Sequence, residues 1–284
     1  MIKFGPSGND ELFHAQGLSG TEKSAKWVRD FGLDAFEYSC GRGVNMSIAK
    51  ADAIAVEFAK HQIDISVHAP YYINFANPDD EMVDKSYMYV LSSLNLVKHL
   101  GGNRVVVHPG SCGKLERAEA VELVKKRLKI LAELVKQSGF GDCYICLETM
   151  GKHSQIGTYT EIIDFCTIDD IYLPTFDFGH INSYCGGCLK TKDDYKKIID
   201  CCIEHIGLER TKKVHIHFSK IMFSEKGEIK HLTFEDDKYG PEFEPLAQLI
   251  CDYGLEPVVI CESHGIMAQD ALKMKQIYQK ILSN

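Results

Sequence analysis

The chain is poor in several things that would each have suggested a different kind of protein. It has one tryptophan and eight prolines in 284 residues, and no Pro-, Gly- or Ser-rich tract that would read as a linker. No apolar run approaches the ~20 residues a membrane span requires, so no membrane association is expected. The opening MIKFGPSGNDELF lacks a basic stretch followed by an apolar one, which excludes a recognisable secretory leader and sets the expectation of a cytoplasmic protein. Positive charge is in deficit, with 32 Lys and Arg against 40 Asp and Glu, which argues against coating nucleic acid through bulk charge. A local basic loop could still grip a few phosphates. GPSGND after the first apolar stretch is a poor match to a dinucleotide-binding glycine loop.

Cysteine, by contrast, is plentiful. The eleven thiols are odd in number and accompany no secretion signal, so most are expected reduced. Cys143 and Cys146 fall on a predicted strand, where an offset of three turns their side chains to opposite faces and prevents shared metal binding. Cys185 and Cys188, in CGGC, lie in a loop that could close around a metal or as a disulfide.

Periodicity supplies the fold. Apolar stretches of strand length alternate with helical patterns: AFEYS, IDISVHAP, NRVVVH, YICLE, IYLPTFD, KKVHIHF and PVVICE follow a first short strand in IKFGPSG. Between them, Val83, Tyr87, Val90, Leu94 and Val97 are spaced as one helical face, as are Val121, Val124, Leu128, Leu131 and Val135. Ser47 is placed to cap one helix, and Thr158 with Glu161 reads as a capping box. A polar connection from Ser219 to Pro241 separates the seventh strand from its helix. Eight strand–helix units at even spacing predict an α/β fold, a single (β/α)8 TIM barrel over residues 1–284, in preference to a doubly wound open sheet.

Six of those strands end on residues that can bind a metal. ISVHAP delivers His68, RVVVHPG His108, YICLE Glu148, LPTFD Asp177, KVHIH His215 and His217, and VVICE Glu262. Any one of them alone reads as a helix cap or a packed histidine. Together they would crowd carboxylates and imidazoles on the C-terminal rim, the face where barrel active sites lie. That crowding carries a desolvation and repulsion cost that a divalent cation relieves. Mixed imidazole and carboxylate donors suit Zn²⁺, Mn²⁺ or Fe²⁺.

The series SVHAPYYIN, VVVHPGS, LET, FDFGH, VHIH and ICE resembles the endonuclease IV family of apurinic/apyrimidinic endonucleases, within the xylose isomerase-like TIM barrels. The resemblance implies two or three metal ions, typically zinc, and cleavage of duplex DNA on the 5′ side of an abasic site, as a monomer. It assigns His68, His108 and Glu148 to one ion. Glu148, Asp177, His215 and Glu262 fall to a second, with Glu148 bridging, and His180 and His231 to a third. Glu148 and Glu262 are the residues on which catalysis is expected to depend. A pair of cations can lower the pKa of a water and steady a departing oxygen, so no separate general base is needed. Tyr71 or Tyr72 would wedge into the base stack, and Arg42 would contact phosphate.

The family places an Asp two residues before the last histidine, where this chain has Ile229. With Glu228 expected to face away in an extended segment, and His217 only a neutral substitute, the third ion is expected to be weakly held. A second reading is a sugar isomerase or epimerase using one divalent ion at Glu148, Asp177, His215 and Glu262, its carboxylates shuttling a proton between neighbouring carbons. His68 and His108 would then be surplus.

Overall fold

The computed structural model describes residues 1–283. Eight parallel strands form the central sheet: β1 (Lys3–Pro6), β2 (Ala35–Ser39), β3 (Asp64–His68), β4 (Arg104–Val107), β5 (Tyr144–Glu148), β6 (Tyr172–Asp177), β7 (His215–Phe218) and β8 (Val258–Cys261). Each pairs in parallel with its sequence neighbour from β2 through to β8, and β8 pairs with β1. At the remaining seam the Asp34 amide donates to Phe4 O at 2.8 Å. The result is a nearly closed barrel with helices outside it.

Closure depends on a missing side chain. A Cβ on Gly5 would lie 1.8 Å from the Ala35 carbonyl oxygen, so only glycine lets β1 approach β2.

The helices carry the predicted apolar faces. Asp80–His99 buries Val83, Tyr87, Val90, Leu94 and Val97, and Arg117–Gln137 buries Val124, Leu128, Leu131 and Val135, while Val121 is only half-buried. The Ser47 hydroxyl accepts from the Lys50 amide, and Thr158 and Glu161 form the reciprocal capping box. These faces pack on the outward residues of the strands in one continuous core that includes Phe4, Phe36, Val67, Val105, Leu147, Phe176, Ile216 and Val259.

Inside the barrel the alternate residues meet, and their character changes with height. Ala35, Val258 and Ile260 form one small apolar group, and Val106, Cys146 and Leu173 another. Two residues further along the same strands come Glu37, His108, Glu148, Thr175 and Glu262. The inward parity that fills the barrel thus also delivers the donors to its C-terminal rim.

The connection after β7 is less irregular than its composition suggests. It contains an antiparallel hairpin, Ile221–Ser224 with Gly227–His231, and a further short pairing joins Gly110–Ser111 to Gln155–Ile156. No described helix is long and apolar enough to cross a membrane.

Gly5→Ala should lower the free energy of unfolding by about 1–3 kcal/mol, the usual cost of overfilling a packed site. Urea denaturation of the two proteins measures it, and an unchanged midpoint would show that the seam is not held as described.

Candidate metal centre

The Glu148 carboxylate is almost wholly buried, and basic rings surround it. On Oε2 it meets His68 Nε2 at 3.1 Å and His108 Nε2 at 2.9 Å. On Oε1 it meets His217 Nδ1 at 3.2 Å and His180 Nδ1 at 3.5 Å. His68 ends β3, His108 follows β4, Glu148 ends β5 and His217 lies on β7, so strand register alone brings them together.

Asp177 ends β6 and also caps the helix Phe178–Tyr184: Oδ1 accepts from the His180 amide at 2.8 Å. Its Oδ2 is buried with no hydrogen-bond partner, 3.3 Å from His180 Nδ1. One oxygen thus holds the backbone while the other is turned, unsatisfied, toward the cluster. Glu262, directly after β8, presents Oε1 at 3.6 Å from His217 Nδ1 and accepts from the Ser7 hydroxyl at 3.3 Å.

Donor atoms collect into four groups, each within a span of 4.8 Å: His68–His108–Glu148, Glu148–Asp177–His217–Glu262, His180–Glu228–His231, and Glu37–His215–His217. The first two share Glu148. The donor types and the orphaned Asp177 oxygen fit divalent cations, because so many buried carboxylates need a positive charge beyond what imidazoles provide.

In the metal-free protein, protons fill that role. Burial would raise the Glu148 carboxyl, but the charges of His108 and His217 hold it well below the usual range. Burial pushes the Asp177 carboxyl up to about 6, with His180 opposing and Glu262 and Glu148 reinforcing. Although burial disfavours its cation, His68 is lifted to about 9 by Glu148. His180 is lifted likewise to about 10, by Asp177, Glu148 and Glu228.

Two of the expected assignments change. The resemblance puts His215 in the second group, but the structure puts His217 there. Both rings point into the barrel, at different heights: His217 is level with Asp177 across the β6–β7 ladder, and His215 is level with Thr175. Two residues along a strand is roughly 6.6 Å, enough to carry His215 away from Asp177 and toward Glu37. There its Nε2 lies 3.1 Å from Glu37, and burial pushes its pKa down to about 4. The other five strands present their donor at or just past the end, and that pattern, followed strictly, favours His217.

The third group also differs. Glu228 does not face away from His231. The hairpin ladder shifts between Met222, which pairs with Lys230, and Phe223, which pairs with Glu228, so Ile229 is an extra, bulged residue. The bulge breaks the two-residue alternation and returns Glu228 and His231 to one side. Glu228 Oε2 lies 3.5 Å from His180 Nε2 and Oε1 lies 3.9 Å from His231 Nε2, while Ile229 is 54% exposed. The Ser219 hydroxyl, 2.8 Å from His231 Nδ1, orients that ring. The premise of the expected weakness, that Glu228 faces away and leaves the group without a carboxylate, is therefore corrected: the residue next to Ile229 brings a carboxylate beside His180 and His231.

Arg42, Tyr71 and Tyr72 are exposed on the loops that follow β2 and β3, and the two tyrosines line a cleft together with His108. The two tyrosines make an edge-to-face pair with centroids 5.8 Å apart, and Tyr72 packs in turn on Tyr89. Gly41 and Gly43, which flank Arg42, lie directly against them; a Cβ on Gly41 would sit 2.9 Å from the Tyr71 ring. Cys185 and Cys188 form a disulfide, which resolves the CGGC loop without a metal. Cys143 and Cys146 are both buried and free, in the outer core and the barrel interior respectively.

Parallel strands closed into a barrel, with histidines and carboxylates converging on the C-terminal rim, define a TIM barrel built around a candidate metal centre. Comparison with known proteins agrees. Residues 25–277 match the family model described as xylose isomerase-like TIM barrel, and the chain belongs to that family. Among its relatives, the probable endonuclease 4 of Enterococcus faecalis is 33% identical over 69% of this chain and 68% of its own length. An uncharacterized protein of Methanocaldococcus jannaschii is 26% identical over 91% of this chain and 92% of that one. Solved structures with the same fold include endonuclease IV from Thermus thermophilus, with a TM-score of 0.67 at 18% identity, covering 99% of this chain and 98% of that one. A D-tagatose 3-epimerase-like protein superposes with a TM-score of 0.71 at 20% identity, covering 99% and 98%.

The geometry can be tested in two ways. Glu228→Ala should lower bound zinc by about one ion per chain, whereas Ile229→Asp should leave the count unchanged; elemental analysis of the purified variants decides between Glu228 and position 229. Because His68 and His180 hold protons at neutral pH in the metal-free protein, zinc must displace them. Binding should therefore be tighter at pH 8 than at pH 6 and release protons, which calorimetry in buffers of different ionisation enthalpy detects. Equal affinity at both pH values would contradict the assignment.

Proposed function

We propose that the protein is a metal-dependent endonuclease that cleaves duplex DNA on the 5′ side of abasic sites, in base excision repair. The observation that carries this reading is the division of Glu148 between two donor groups: one oxygen with His68 and His108, the other facing the group of Asp177, His217 and Glu262. A one-ion sugar isomerase or epimerase requires only the second group. The first, and the separate His180–Glu228–His231 group, are the equipment of a multinuclear site. Endonuclease 4 relatives support the same direction.

His68, His108 and Glu148 would hold one ion, Glu148, Asp177, His217 and Glu262 a second, and His180, Glu228 and His231 a third, with zinc the expected metal. Bound there, divalent ions supply Lewis acidity that activates water and neutralises charge on a phosphodiester. The chain itself contributes position. Glu148 ties two groups into one, and Ser7 and Ser219 orient Glu262 and His231. Asp177, fixed as a helix cap, cannot swing away. Tyr71 and Tyr72 offer aromatic faces at the rim for a disrupted base stack, and Arg42 a guanidinium for a backbone phosphate.

A duplex with one abasic site should be nicked 5′ to that site, and a strong chelator should abolish the nick. Glu148→Gln should reduce the rate by more than about a hundredfold, the scale reached when even an outer partner of a ligand is lost. Tyr72→Ala should weaken binding of the abasic duplex by about 1–3 kcal/mol, the usual worth of base–aromatic stacking, with metal content intact. A protein that leaves the duplex whole but epimerises ketoses with one ion bound would replace this reading with the sugar-epimerase one.

A further inference from the structure

Among the described residues, Glu37 is the one carboxylate inside the barrel that belongs to neither the first three donor groups nor a helix cap. It lies on β2 beside Ser66, two residues before the donor His68 on β3, and is completely buried. Among the described residues no Lys or Arg pairs with it; the Ser66 hydroxyl donates to Oε2 at 2.7 Å, while His215 Nε2 at 3.1 Å and His217 Nε2 at 2.9 Å lie in ion-pair contact without a well-directed hydrogen bond, which leaves Oε1 unsatisfied. A buried carboxylate is costly unless each oxygen meets a donor, so this placement calls for a reason.

The reason lies in His217, whose ring is strung between two sets of acids. Nε2 faces Glu37, while Nδ1 faces Glu148 at 3.2 Å and Glu262 at 3.6 Å. A neutral imidazole carries one N–H and one lone pair. With acids on both sides, either nitrogen can hold a proton in the metal-free protein; once a rim cation takes the Nδ1 side, the Glu37 carboxylate 2.9 Å from Nε2 keeps the remaining proton there and leaves the Nδ1 lone pair for the rim. Carboxylates that accept the remote N–H of a ligating histidine fix its tautomer and ring direction and raise its basicity.

The same three residues could be read as a site in their own right, since their donor atoms also lie within 4.8 Å. That reading conflicts with the rim. An ion on Nε2 would leave Nδ1 carrying the proton, and His217 would be lost to the Glu148–Asp177–Glu262 group. His215 is instead a second ring against Glu37, with both of its nitrogens buried and without a hydrogen bond.

We propose that Glu37 is a positioning residue: it sets the tautomer and direction of His217 so that Nδ1 completes the Glu148–Asp177–Glu262 donor set, with Ser66 and His215 holding Glu37 in place. This rests on the metal centre proposed above, though not on DNA as the substrate. The shape-conserving Glu37→Gln replaces an acceptor by an amide that cannot serve both rings.

Zinc affinities are measured by chelator competition on the parent, on Glu37→Gln and on the milder Ser66→Ala, with ion counts by elemental analysis and thermal unfolding of the metal-free proteins as a check on folding. The parent should bind two or more ions. Glu37→Gln should bind one of them about 10–100-fold more weakly, with the others unchanged, and Ser66→Ala should shift the same ion less. Long-range ¹H–¹⁵N correlation on the unsubstituted zinc-loaded protein, which needs no variant to fold, should find the single His217 ring proton on Nε2. Unchanged affinities in Glu37→Gln, or a His217 proton on Nδ1 in the zinc-loaded protein, would overturn the proposal. So would the loss of one whole ion in His215→Ala, which would make the buried group a site of its own. A parent that binds no ion at all would overturn the metal centre itself, and is distinguishable because it is read before any variant is made.

Discussion

A single carboxylate with nowhere to hide organises this molecule. Glu148 is buried at the top of the barrel with imidazoles on both oxygens. A charge removed from water to that depth is tolerated only if its partners are held in place, and here they come from different strands. The arrangement therefore depends on the barrel's register as a whole. Gly5 closing the β1–β2 seam, and the helices packed against the outward faces, matter to the site because they fix the relative heights of the strands.

Several residues serve structure and site at once. Asp177 satisfies a helix amide with one oxygen and leaves the other toward the cluster. Ile229, exposed and apolar, has no donor atom, yet as a bulged residue it turns Glu228 toward His180 and His231. Glu37 and Ser66 form a buried polar pair against His215 and His217. The donors at the rim thus stand on a deeper set of groups that limits their motion.

The fold is shared by proteins of different names: solved structures of an endonuclease IV and of a D-tagatose 3-epimerase-like protein superpose on this chain about equally well. The fold cannot separate them. What separates them is the inventory at the rim. In this chain that inventory extends past a one-ion set to His68 and His108 on one side and to the hairpin histidine on the other.

Much of this was legible in the sequence, because it followed from local periodicity. Alternating apolar runs and helical faces implied eight strand–helix units, the Thr158–Glu161 box was readable as a cap, and a polar residue ending an apolar run marked the rim donors His68, His108, Glu148, Asp177 and Glu262. The remainder depended on relations between segments far apart in the chain. Choosing His217 over His215 required the β6–β7 register, since both residues share one face and differ only in height. The inward turn of Glu228 required the pairing of two hairpin strands, because a bulge is a property of a ladder and not of one strand. Glu37 looked like any acid in AFEYS until the barrel closed and placed two histidines over it. Sequence patterns determined which residue types reach the rim; tertiary register decided which of them meet, because height along a barrel strand is set by its neighbours.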